Sequence, residues 1–165
     1  MFSQNQTNSA PIGRLHSGKF PLQTIPFLHF DVELHPCDHI YRANLHVTDV
    51  EWKLVFLSSP GHPDLDQELD SCLVGPIPVG INSFEFMAPA PEPTLIPQED
   101  LLGVAAIILS GAYKDAEFVR VGYYQNTEYD DEELKANPPE RVDYGRLVRE
   151  LAADKPRVTR FNIRW

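Results

Sequence analysis

Apolar residues recur at every second position in six separate runs of this chain, and proline or glycine interrupts the sequence between most of them. A period of two is that of a β-strand, whose successive side chains point to opposite faces. Residues 29–34 place Phe30, Val32 and Leu34 on one side. Residues 51–57 do the same with Trp52, Leu54 and Phe56, and residues 82–87 with Phe84 and Phe86. Residues 103–110 are apolar on both faces, as a central strand is. In residues 117–124, Val119, Val121 and Tyr123 share a core face, while Phe118, Arg120 and Tyr124 surround Gly122 on the other. Residues 157–165 alternate Phe161, Ile163 and Trp165 inward against Arg160, Asn162 and Arg164 outward.

Breakers fall at residues 58–61, 75–80 and 88–93, and a turn is expected at Lys114 and Asp115. Fifteen prolines and nine glycines suit many short strands better than long helices. Helical signals are brief. One turn is expected at residues 98–102 and another at 131–136, stopping before Pro138 and Pro139. Asp143 is read as the cap of a helix running to Ala153, with Leu147, Val148 and Leu151 on its apolar side. The fold expected is all-β: an immunoglobulin-like antiparallel β-sandwich with a few short helices in its loops. The 165 residues fit one domain, residues 26–165, preceded by a segment 1–25 of weakly ordering composition.

Several function classes drop out. No run of 18 or more apolar residues exists, so no membrane-spanning helix is expected. The N-terminus lacks the basic-then-apolar layout of a secretion signal. Cys37 and Cys72 are expected as free thiols of an intracellular protein. The net charge is −10, and residues 60–140 hold 16 acids against 3 bases. Such a surface repels nucleic-acid phosphates and attracts basic proteins, or serves only solubility. Residues 35–39 read His-Pro-Cys-Asp-His, but no second cluster completes a tetrahedral metal site, so a polar loop is expected. The Gly75–Gly80 stretch lacks the Gly-Lys-Ser/Thr ending of a phosphate loop, and its prolines remove amide donors. Asp64, Asp66, Glu68 and Asp70 read as a solvated loop or a docking patch for cations. No catalytic motif appears, so neither enzymatic activity nor a cofactor is expected. Arg120 between aromatics is poorly suited to burial and well suited to holding a protein partner.

Particular blocks carry a resemblance: Asp49-Val-Glu-Trp-Lys, Asp66-Gln-Glu-Leu-Asp-Ser, Leu73-Val-Gly-Pro-Ile-Pro, Leu95-Ile-Pro, Gly103-Val, Glu117-Phe-Val-Arg-Val-Gly-Tyr-Tyr, Asn137-Pro-Pro and Pro156-Arg-Val-Thr-Arg-Phe-Asn-Ile-Arg-Trp. In order and spacing across residues 49–165, the chain resembles the anti-silencing-function histone chaperones. The resemblance implies a nuclear protein, monomeric alone, that binds the dimer of core histones three and four. It would block tetramer formation and hand the dimer over for nucleosome assembly and disassembly. By position, Asp66, Asp100, Val104, Ala106, Ile108, Arg120 and Tyr124 would face histone three. Tyr123 and the strand from Arg157 through Thr159 would meet the end of histone four. Asp49 and Val74 match a separate site for other histone chaperones or chromatin assembly factors. Ala106 stands where the family usually has a larger β-branched residue. The alternative is a β-sandwich adaptor for other basic or extended peptides, with histone binding lost or weakened.

Overall fold

The computed structural model describes residues 14–15, 18–22, 27–34, 49–58, 61–77 and 82–164. Among them run β1 (Arg14–Leu15), β2 (Gly18–Pro21), β3 (Phe27–Leu34), β4 (Val50–Leu57), β5 (Gln67–Val74), β6 (Asn82–Pro89), β7 (Gly103–Tyr113), β8 (Ala116–Tyr129) and β9 (Leu147–Arg160). Two antiparallel sheets result, a three-stranded one in the order β1–β3–β6 and a six-stranded one in the order β2–β9–β8–β7–β4–β5. The all-β sandwich expected from alternation is what forms.

The core lies between the sheets and is built by that alternation. In β4 every second residue is buried, and Trp52 and Leu54 are wholly enclosed. Ile107, Leu109, Val121 and Tyr123 join them from the large sheet, and Phe86 and Ala88 from the small one. The Trp52 indole lies 5.6 Å from the Phe84 ring and 6.0 Å, edge-on, from that of Phe118, so it bridges the two layers. Arg149 adds a polar tie: its buried guanidinium donates 2.8 Å to the Pro91 carbonyl beyond the end of β6. Burial lowers its pKa to about 10, against the pull of Glu92.

Connections follow local chemistry. Lys114 and Asp115 both adopt positive φ, 48° and 64°, the left-handed pair that lets a two-residue turn match the twist of β7 and β8. Helix α1 spans Gln98–Leu101 and helix α2 spans Glu132–Ala136. The Asp131 carboxylate caps α2 by accepting from the amides of Glu133 and Leu134. At Gly103, φ is +108°, which strains any residue with a side chain.

Three expectations are corrected. No helix runs from Asp143 to Ala153. Asp143 caps only a 3-10 turn, Tyr144–Arg146, through a 3.0 Å bond from Gly145 N–H, and β9 begins at Leu147. Leu147, Arg149 and Leu151 are buried in alternation, and β8 and β2 supply ladder partners on both sides. That tertiary pairing overrides the helical spacing of Leu147, Val148 and Leu151. Phe118 does not share the Arg120 face; a register shift beside Gly111 and Ala112 turns its ring onto Trp52. Phe161 does not point inward. The strand has ended at Arg160, and the Phe161 ring is exposed, although its N–H still donates 2.9 Å to the Phe118 carbonyl. Ile163 packs against the core as expected.

Within the segment 1–25, β1 pairs with β3, β2 pairs with residues 148–151 of β9, and Leu22 is buried. The side chains of Phe30, Val32 and Leu34, the loop 35–39 with Cys37, and Trp165 lie outside the described residues. Cys72 is a free, half-buried thiol, whose pKa burial pushes up, with Asp70 adding to the shift.

Candidate functional site

The outer face of the large sheet is assembled row by row from strand register, because residues directly opposite one another share a face. Lys53, Ser110, Arg120 and Thr159 form one row across β4, β7, β8 and β9. Val55, Ile108, Gly122 and Arg157 form the next, followed by Leu57, Ala106, Tyr124 and Ala152. Val104, Asn126, Glu150 and Lys19 complete the set. The β4, β7 and β8 positions at the centre of the face are largely apolar and uncovered among the described residues: Val104 is 69% exposed and Tyr124 45%, while Val55, Leu57, Ala106 and Ile108 are half-buried. A contiguous apolar surface between polar rims is what an interface core requires. Beside Val104 and Tyr124 the face deepens into an open hollow of about 670 Å³, bounded by Asn126, Ala152 and Asp154.

The two ends of the face present different charged groups. At one end the Arg120 guanidinium is gripped by Glu117, Nε to Oε1 and Nη2 to Oε2, both 2.7 Å. Those hydrogen bonds raise its pKa further. The guanidinium also lies 5.6 Å from the centre of the Phe161 ring. Lys53, bridged to Glu68 at 3.3 Å, stands in the same row. At the other end, where β4 finishes and β7 begins, stand Asp66 and Asp100. Asp66 follows the 3-10 turn Pro63–Leu65, and its neighbour Gln67 pairs with Phe56. One Asp66 carboxylate oxygen is buried without a hydrogen-bond partner among the described residues. Asp100 sits in α1, immediately before β7, and its amide donates 3.0 Å to the Pro97 carbonyl. Gln67 ties this end to the following loop through paired bonds with the Glu92 backbone, 3.1 and 2.8 Å.

Asp66, Asp100, Val104, Ala106, Ile108, Arg120 and Tyr124 therefore border or line one face. Tyr123 lies on the opposite side of β8, 1% exposed, and burial pushes its phenol up to about 12. It is nonetheless next to the last strand. Gly122 pairs with Arg157 and Tyr124 with Ala152, so residues 153–156 bulge out opposite Tyr123 alone. Beyond the bulge, residues 157–160 are paired only with β8 among the described residues. Asp49 and Val74 meet elsewhere: exposed Asp49 precedes Val50, which pairs with Val74 at the end of edge strand β5. Sequence reasoning gave no binding role to Glu117, Phe161 or Leu73. Glu117 lies i−3 from Arg120, a weak signal in a strand, whereas Phe161 reaches Arg120 only through sheet register. Leu73, 73% exposed on β5, alternates with half-buried Cys72 and Val74.

An all-β sandwich with an apolar face uncovered among the described residues, between charged rims and beside a strand edge open among the same residues, has the architecture of a protein-binding module. The comparisons identify which kind. The family description "ASF1 like histone chaperone" matches residues 28–165, and the chain belongs to that family. It is 60% identical over 117 residues to "Histone chaperone ASF1" of Mycosarcoma maydis, covering 71% of this chain and 67% of that one. The same share of this chain is 62% identical to the protein of that name from Candida albicans and 56% identical to that of Saccharomyces cerevisiae, covering 47% and 42% of those proteins. The chain thus spans about two thirds of the first and less than half of the other two.

Proposed function

We propose that this chain is a nuclear histone chaperone, monomeric on its own, that binds the dimer of histones three and four. In this reading residues 26–165 form the binding domain. The open face covers the helix by which histone three pairs two dimers, so that binding prevents the tetramer and keeps the dimer available for nucleosome assembly and disassembly. The observation that carries the reading is the polarity of the face: Val104, Ala106, Ile108 and Tyr124 lie between Arg120 at one end and Asp66 with Asp100 at the other. An amphipathic helix with an acid at one end and bases at the other is its complement. Residues 157–160, beside Tyr123, suit the end of histone four as an added strand. Asp49 and Val74, with exposed Leu73, suit a partner chaperone on β5 without overlap.

The test is a sizing column. The full chain mixed with the histone dimer at moderate salt elutes as a one-to-one complex, and Arg120→Glu or Asp66→Arg abolishes it while circular dichroism stays unchanged. Full affinity in both variants would place the interface elsewhere. One observation favours the second reading, an adaptor for other basic or extended peptides: Ala106 offers little apolar surface at the centre of the face. Ala106→Val discriminates. As a histone site, the face gains up to about 1 kcal/mol from the added methyls, roughly a fivefold tighter Kd. An adaptor retains peptide binding through Asp49 and forms no histone complex with either residue at 106.

A further inference from the structure

We infer that β9 carries a built-in stop, formed by Pro156, the bulge before it and β2, which limits an added strand to the two rungs offered by Val158 and Arg160. The inference rests on the histone-four part of the reading above and specifies what that edge accepts.

Hydrogen-bond direction alternates along a strand of an antiparallel pair. The Phe161 amide donates to the Phe118 carbonyl of β8, and the register from Val119–Arg160 to Gly122–Arg157 is continuous with that bond. Thr159 and Arg157 therefore also address β8. Val158 and Arg160 turn their N–H and C=O groups to the open side. The next outward position toward the N-terminus of β9 is Pro156, which has no N–H to give. There residues 153–156 leave the ladder. From Leu151 back to Val148 the edge is filled by β2, and the Leu22 amide bonds the Leu147 carbonyl at 2.9 Å. That filler is fixed. Leu22 is buried, and Lys19 Nζ reaches Glu128 at 2.8 Å and Glu150 at 3.5 Å.

Among the described residues the open edge thus spans four positions, from Arg157 to the strand's end at Arg160, about 13 Å at the usual rise of a strand. A partner strand that fits it is about four or five residues long and then ends or turns, which suits a chain terminus better than the middle of a long strand. Arg157 and Thr159 lie on the open-face side of this edge, so one partner engages face and edge together.

Amide exchange followed by NMR tests the stop on the full chain, free and bound to the histone dimer. Thr159 and Phe161 amides exchange slowly in both states. Val158 and Arg160 amides exchange fast in the free chain and slow at least tenfold in the complex, while those of Asp154 and Lys155 do not change. Equal exchange of Val158 and Arg160 in a formed complex overturns the inference, and so does protection spreading to Asp154 and Lys155. Failure to form any complex instead removes the reading on which it rests. Val158→Pro deletes one outward donor and spares the β8 ladder. It weakens binding of the intact dimer at least tenfold, and binding of a dimer lacking the end of histone four no further; equal losses for both dimers count against the proposal.

Discussion

Arg120 is held from two sides before any partner arrives, by the Glu117 carboxylate and by the Phe161 ring. A side chain ordered in advance loses less rotamer freedom on binding, which is where a long cation normally gives back affinity. Glu117→Gln is therefore expected to weaken histone binding several-fold in titration calorimetry, without touching the partner's own contacts. Because the pair is exposed, its loss changes folding stability by less than about 1 kcal/mol. Tyr123 makes a different prediction. Its phenol titrates near 10 when unfolded and near 12 when buried, so the neutral form is the one that folding favours. Its stabilisation is complete below pH 10 and is lost as pH rises toward 12. Stability of the native chain relative to Tyr123→Phe, measured by urea unfolding, should fall across that window and stay flat below it. The comparison cancels Arg149, which titrates in the same region with opposite sign. At this scale Tyr124 and Arg120 were legible from alternation alone, and Tyr123 was legible as core. Their partners were not: Glu117 and Phe161 reach Arg120 through a register shift and a strand end that no local pattern announces.

Among the elements, β7 and β8 show how tightly register is specified. At Gly111 a Cβ would lie 2.9 Å from the Phe118 ring, 3.0 Å from Val119 and 3.1 Å from Trp52. Gly111→Ala should cost about 1–3 kcal/mol by overpacking, visible as a lower urea midpoint with an unchanged slope. The Phe118 ring takes the space that Gly111, lacking a Cβ, leaves beside Trp52. Strand β9 was the element least legible in the sequence. Leu147, Val148 and Leu151 satisfy a helical spacing, and Asp143 is a genuine cap, so local signals favoured a helix. The cap works for one 3-10 turn only, because β8 and β2 provide long-range hydrogen-bond partners that spacing cannot reveal. By contrast, β4 was fully legible, since Trp52, Leu54 and Phe56 alternate without exception and are buried in that order.

On the scale of the whole molecule, residues 60–140 carry an acidic excess, and the proposed partner of the face is basic. Long-range attraction between them acts on encounter more than on the seated complex. Raising ionic strength from 0.05 to 0.3 M, a range over which the screening length falls from roughly 14 to 6 Å, should slow association measured by stopped flow far more than it changes dissociation. The sandwich itself was readable from alternation and breakers, but the way its largest sheet ends was not. That sheet is finished by β2, and Lys19 finds Glu128 across 109 residues of sequence. A contact of that span is paid for late. On the ribosome, β2 emerges well before β9 and has no edge to join until Leu151 has been made, so the nascent chain must carry an unpaired strand until then.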